Sequence, residues 1–178
     1  FCENKPISLN KEHLKKIIVK NYNEERWTLI QGKLYGKYIK YAKPYPYVLE
    51  TIKKLLKNNV IYIISHKTKT PFIGKKYDLH EAASKWINSN LVDENLKPII
   101  DNKFIYFNQT IDEKVQSISK VKCNIFLDDL IKVLQHETFS SKIKKVLFNP
   151  NKIDIYFKGI ETINNWKEFY TYVKQKNN

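Results

Sequence analysis

Residues 124–130 read Asn-Ile-Phe-Leu-Asp-Asp-Leu, an apolar run that ends in two adjacent carboxylates. The apolar part predicts a buried strand, and two like charges at its end repel unless a positive group lies beside them. Two other segments carry comparable polar groups: the apolar run 60–65 ends in Ser65, and Lys114 lies in the first turn of a predicted helix. A hydroxyl, a lysine and paired carboxylates are the components of a phosphate-and-magnesium site.

Beyond residue 43 the apolar residues alternate between strand and helix patterns. Strands are predicted at 60–65, 103–107, 123–127 and 145–148, and helix N-caps at Asp78, Thr110 and Thr162. Glu81 and Glu113 stand three residues after the first two caps, as in a capping box. Repeated strand–helix units predict an α/β fold with a doubly wound parallel sheet.

The residues before Pro44 predict a small helical cap on that sheet. Its two helices are predicted at about 10–21, with Asn10 as N-cap, and at about 23–41. The predicted domains are therefore an α/β core, residues 1–9 and 43–178, and a helical cap, residues 10–42. Gly32 and Gly36 are spaced four residues apart, which would let another element pack closely against the second helix.

Length and composition favour one α/β domain with an appendage. The chain has 178 residues, of which 42% are apolar, and a formal net charge of +14. Such a positive charge is compatible with a nucleic-acid partner. However, of the 32 basic residues only Arg26 is an arginine. Proteins that recognise phosphates and guanine edges favour arginine, because its guanidinium group forms bidentate hydrogen bonds. We therefore expect a small anionic substrate as partner and argue against nucleic acid.

Cysteine usage and hydropathy predict a cytoplasmic protein. Cys2 and Cys123 are far apart in sequence, so neither a disulfide framework nor a zinc spacing is present. No apolar run approaches the roughly 20 residues that a membrane span needs. We expect no membrane association.

The candidate polar groups should meet at one edge of the sheet. In an open parallel sheet, ligands bind outside the carboxyl ends of the strands, where Ser65 and the Asp128–Asp129 pair fall. Helical side chains tilt toward the helix N-terminus, so Lys114 can reach the same edge and the Asp128 carboxylate. Taken singly, each has an ordinary structural alternative: a turn serine, a solvated helix lysine, and carboxylates at a helix start.

The order Ser65, Lys114, Asp128-Asp129 resembles motifs two, three and four of the haloacid-dehalogenase-like (HAD) hydrolases. The wider sequence resembles one uncharacterised bacterial branch of that superfamily. The resembling stretches are Trp-Thr-Leu-Ile-Gln-Gly-Lys-Leu-Tyr-Gly (27–36), Ala-Lys-Pro-Tyr-Pro (42–46), Ile-Ser-His-Lys-Thr (64–68) and Tyr-Asp-Leu-His-Glu-Ala-Ala (77–83).

This resemblance implies a Mg²⁺-dependent phosphatase that acts on a small phosphorylated metabolite through an aspartyl-phosphate intermediate. Ser65 would hydrogen-bond a phosphoryl oxygen, and Lys114 would offset the charge of phosphate and nucleophile. Asp128 or Asp129 would bind Mg²⁺. The cap helices would cover the site and set substrate choice.

The loop that follows Ser65 supplies further candidates for substrate binding, His66 and Lys67. A Ser65–His66 catalytic pair is disfavoured, because neighbouring strand residues point to opposite faces.

One motif of the family has no counterpart in the sequence. The nucleophile motif, Asp-x-Asp after an apolar strand, is absent, and in the family that strand lies between the strands that correspond to 60–65 and 123–127. We therefore expect a segment before Phe1 to be missing from the sequence. The alternatives are a non-catalytic HAD-like protein that binds phosphate or another ligand and, third, a nucleic-acid-binding or nucleic-acid-processing domain.

Overall fold

The computed structural model describes residues 11–177. Its helices are α1 (Lys11–Asn21), α2 (Glu24–Tyr35), α3 (Val48–Leu55), α4 (Leu79–Asn90), α5 (Ile111–Lys120), α6 (Ile131–Leu134) and α7 (Trp166–Asn177). Its strands are β1 (Ile63–His66), β2 (Ile105–Asn108), β3 (Ile125–Asp128), β4 (Lys144–Phe148) and β5 (Ile160–Ile163). The predicted N-cap Asn10 and core segment 1–9 lie outside the described residues, and the division into core and cap stays a prediction.

All of the strand ladders are parallel, as the alternation of strands and helices predicted. β1 pairs with β2, and β3, β4 and β5 form a second sheet in that order. Within residues 11–177 no ladder joins β1 to β3, so the described strands form two small sheets. The mixed α/β architecture is confirmed, and a single doubly wound sheet stays a prediction.

Both sheets contribute to one hydrophobic cluster beneath α5. Ile64 of β1 and Phe126 of β3 are buried in this α5-side core together with Val115 and Ile118 of α5. Because side chains alternate along a strand, Ile63 faces the other way and packs on a second cluster, the α3/α4-side core. Burying each large apolar side chain contributes about 1.5–3 kcal/mol, so the shared α5-side core joins the two sheets.

Of the three helix N-caps predicted beyond residue 43, two are present. The Asp78 carboxylate accepts a hydrogen bond from the Glu81 N–H at 2.8 Å, and the Thr110 hydroxyl accepts one from the Glu113 N–H at 3.1 Å. These caps satisfy backbone donors that the first turn of a helix leaves unpaired, and they fix where α4 and α5 begin.

The prediction that Thr162 caps the last helix is wrong. Thr162 lies in β5, opposite Leu147 of β4, and α7 begins only at Trp166. Asn165 caps that helix, since its side-chain oxygen accepts from the Glu168 N–H at 3.0 Å. Pairing with β4 places Thr162 in an extended ladder, where a β-branched residue packs well.

The second cap helix is shorter than predicted. It ends at Tyr35, and a separate 3₁₀ turn covers Ile39–Tyr41. A Cβ atom on Gly32 would lie 2.8 Å from Pro71, and one on Gly36 would lie 2.5 Å from the Tyr77 ring. The expected close packing is therefore present, and α2 lies directly on the 67–77 loop that follows β1.

None of the helices in residues 11–177 is both long and apolar enough to cross a membrane.

Candidate functional site

A buried ion pair lies at the carboxyl end of β3. The Lys114 ammonium of α5 contacts Oδ2 of Asp128, the last residue of the strand. The two residues are only 5% and 8% exposed. Oδ1 of Asp128 accepts a hydrogen bond from the Leu130 N–H at 2.9 Å, so both carboxylate oxygens are engaged. The expected proximity of Lys114 and Asp128 is present, whereas their catalytic and metal-binding roles stay predictions.

Different groups around Asp128 shift the pKa of its carboxyl in opposite directions. Burial raises the pKa of the Asp128 carboxyl above its ordinary value, because the carboxylate loses its hydration. The Lys114 ammonium and the Leu130 N–H oppose that rise, and the neighbouring Asp129 charge adds to it. Burying an ion pair costs hydration energy, and a well-packed apolar pair is often as stable. A perturbed, paired carboxylate at a strand end is thus a candidate functional group.

Asp129 differs from its neighbour in being accessible. Its side chain is exposed, and within the described part of the chain its carboxylate makes no hydrogen bond or ion pair. Asp129 can therefore accept a ligand directly, whereas Asp128 is held by Lys114 and Leu130.

Carboxylates are suitable ligands for Mg²⁺, which proteins often bind through one or two carboxylates plus water and substrate phosphate. Across the described residues no group of three or more His, Cys, Asp or Glu side chains is placed to hold a metal ion. The residues present thus fit Mg²⁺ bound through Asp129, with Asp128 beside it, and do not form an all-protein cage.

Ser65 lies at the same edge but on the other face. It is the third residue of β1, opposite Phe107 of β2, and it is partly exposed. By alternation it shares the face of Ile63, while the Lys114–Asp128 pair lies on the α5 side. Its hydroxyl has no hydrogen-bond partner in the described residues. The structure therefore places Ser65 near the candidate edge without joining it to the ion pair.

His66 and Lys67 both contact the carboxyl end of β2 and the residue that follows it. The His66 Nε2 atom lies 3.0 Å from the carbonyl oxygen of Gln109, and the Lys67 N–H donates to the carbonyl oxygen of Asn108 at 2.7 Å. The Lys67 side chain reaches the cap, where its ammonium lies 4.6 Å from the centroid of the Tyr35 ring. These two residues thus lie at the carboxyl edge of the smaller sheet.

Sequence analysis did not single out Asn108 and Ser117. Asn108 ends β2 and is buried, and the Ser117 hydroxyl donates to its side-chain oxygen at 2.7 Å. The Asn108 side-chain nitrogen is buried and has no partner among the described residues. Ser117 lies one helical turn after Lys114, so this pair supports the same part of α5. The available signal was an amide at a strand end two residues before a helix cap.

Neither a family model, nor a curated protein, nor a solved structure matches the chain significantly.

Proposed function

We propose that the protein is a Mg²⁺-dependent phosphatase of the HAD-like type that acts on a small phosphorylated metabolite. The observation that carries the proposal is the buried Lys114–Asp128 pair beside the exposed Asp129 at the carboxyl end of a parallel strand. A doubly wound core that binds the metabolite at this edge belongs to the same proposal.

Each candidate residue at this edge would have a different role. Asp129 would hold Mg²⁺, with the Asp128 carboxylate beside it, and the bound ion would supply positive charge to phosphoryl oxygens. Lys114 orients Asp128 through their direct contact and keeps a fixed positive charge beside it. Ser65 offers a hydroxyl donor to a phosphoryl oxygen. Preorganised charges in a site with little water stabilise developing negative charge strongly.

A second candidate function is binding of phosphate or a phosphorylated ligand without turnover. It is favoured by the absence of an Asp-x-Asp pair from the 178 residues, because the aspartyl-phosphate route needs an aspartate nucleophile at this edge. Both candidates use Asp129, and they differ in whether a phosphate ester is cleaved.

The decisive experiment measures hydrolysis of a generic aryl phosphate by the purified protein, with Mg²⁺ and with EDTA. We expect turnover only with Mg²⁺, and we expect Asp129→Asn to lower it by about 10²-fold or more, as when a main electrostatic stabiliser is lost. Asp101→Asn is the matched control, since Asp101 precedes β2 at the opposite edge and asparagine keeps its cap.

EDTA-resistant turnover would exclude the Mg²⁺ mechanism. Absence of turnover, combined with Asp129-dependent binding of inorganic phosphate in isothermal titration calorimetry, would favour the binding protein.

A further inference from the structure

A cation and an aromatic ring meet where the cap touches the loop after β1. The Lys67 ammonium lies 4.6 Å from the centroid of the Tyr35 ring. Tyr35 is the last residue of α2, and Lys67 directly follows β1. The contact joins residues that are remote in sequence, unlike the Lys40–Tyr41 pair, whose members are chain neighbours. It therefore reflects how the cap is folded onto the core.

The backbone of Lys67 is fixed from two sides. Its N–H donates to the carbonyl oxygen of Asn108 at 2.7 Å. Its carbonyl oxygen lies 2.7 Å from Nε2 of His80, and a carbonyl can only accept, so the imidazole donates. The His80 ring in turn stacks on Phe107 of β2 with 4.9 Å between centroids. These contacts hold Lys67 at the carboxyl end of the β1–β2 sheet.

Tyr35 is held on the cap side by close packing. Gly32 of α2 and Gly36, the C-cap residue just after it, flank Tyr35, and a Cβ atom at either position would collide with Pro71 or Tyr77. The helix therefore sits against the 67–77 loop at a distance that only glycine permits. The backbones that carry the ring and the ammonium are therefore held close together before any ligand binds.

This pair lies beside the candidate phosphate-binding hydroxyl. Lys67 follows Ser65 by two residues, so their Cα atoms are at most about 7.6 Å apart. Tyr35 is 36% exposed, so the residue is in contact with solvent at this point of the surface. A flat apolar surface and a positive charge thus lie within one small molecule's length of Ser65.

We infer that Tyr35 and Lys67 recognise an aromatic ring carried by the phosphorylated substrate, which makes that substrate a nucleoside monophosphate rather than a sugar phosphate. The base stacks on Tyr35, as bases do on exposed aromatic side chains. The Lys67 ammonium attracts the phosphate and covers part of the same ring. This inference rests on the proposed function, because it places the phosphate at the same edge.

The test compares two ligands that share a phosphate ester and differ in the base, adenosine 5′-monophosphate and ribose 5-phosphate. Isothermal titration calorimetry of the full chain with Mg²⁺ should give about tenfold tighter binding of the nucleotide, the gain expected from one stacked base. Tyr35→Leu should remove this preference, and Tyr35→Phe should keep it. Lys67→Ala should weaken both ligands, since both carry the phosphate.

Tyr41→Leu is the matched control, because Tyr41 is 69% exposed on the same cap and its ring is contacted by Lys40, its neighbour in the chain. It should leave both affinities unchanged, and thermal unfolding of each variant verifies that it is folded. Equal affinity for the two ligands, binding of neither, or a preference that survives in Tyr35→Leu would overturn the inference.

The inference and the proposed function fail in different ways. A Tyr35-dependent preference for the nucleotide without any hydrolysis keeps the inference and refutes the phosphatase. Hydrolysis of both esters with equal kcat/KM keeps the phosphatase and refutes nucleotide recognition.

Discussion

Lys114 is the residue on which the proposed function depends most. As a first-turn helix lysine it could have been solvated, but it is 5% exposed and contacts Asp128. Burying an unpaired charge is costly, so the buried Lys114 ammonium needs the Asp128 carboxylate, and the carboxylate needs the ammonium. The stability of the fold and the chemistry of the site are therefore coupled through one pair of side chains.

Replacing Lys114 with methionine should destabilise the protein by about 3–5 kcal/mol at pH 7, because Asp128 would stay buried without its partner. The double variant Lys114→Met/Asp128→Leu removes both charges and should recover most of that loss. Chemical denaturation measures both free energies of unfolding. A single variant as stable as the wild type would show that the pair is not structurally coupled.

The deficit of Lys114→Met should depend on pH in a defined direction. Because the pKa of Asp128 is raised in the folded state, the folded state binds a proton more readily than the unfolded chain does. The stabilisation that comes from protonating Asp128 is fully present below about pH 3.9, the ordinary pKa of aspartate. It is lost as the pH rises through the pKa of Asp128 in the folded protein. Without Lys114, the pKa of Asp128 rises further, and the destabilisation at neutral pH becomes larger. In acid, where Asp128 is protonated, the free energy of unfolding of Lys114→Met should therefore approach that of the double variant.

Helix α2 shows how one element depends on glycine. Gly36→Ala would place a methyl group 2.5 Å from the Tyr77 ring and should destabilise the cap by about 1–3 kcal/mol, the usual cost of overpacking. The double variant Gly36→Ala/Tyr77→Gly removes both the ring and the Cβ atom of Tyr77, which would lie 2.6 Å from the new methyl group, and serves as the matched control. Limited proteolysis within α2, together with thermal unfolding, measures the effect. Unchanged protease resistance of Gly36→Ala would contradict close docking of α2.

Some elements follow from local sequence, and others do not. The caps at Asp78 and Thr110 were predictable because a capping side chain acts on residues three positions away. β5 was missed because its extended form depends on the ladder with β4, and Thr162 by itself resembles a helix cap.

In the candidate site, too, one contact could be predicted from the sequence and another could not. Proximity of Lys114 and Asp128 follows from topology, since parallel strand ends and the next helix start share an edge. The contact between Tyr35 and Lys67 depends on how the cap packs against the loop after β1. The Gly32/Gly36 spacing predicted close packing, but it did not indicate which element would pack there.

At the scale of the whole molecule, the two sheets share a core, and no ladder joins them within the described residues. Within residues 11–177, β1 pairs only with β2, and β3 pairs only with β4, so each leaves a row of backbone groups without a strand partner. Open, apolar strand edges favour association with other chains. A polypeptide of residues 1–178 expressed alone should therefore not behave as a stable monomer.

Analytical ultracentrifugation and thermal unfolding test this expectation on the same sample. A soluble monomer with one cooperative transition would contradict it.

The parallel pairing of β1 with β2 also affects the synthesis of the chain. Ile63 of β1 has its partner at Ile105 of β2, so β1 leaves the ribosome before its partner exists. At about 5–20 residues per second, that interval lasts roughly two to eight seconds. During this interval the apolar β1 segment is exposed to water without its partner strand. The nascent chain should therefore bind a chaperone that recognises extended apolar segments during synthesis of the stretch between β1 and β2.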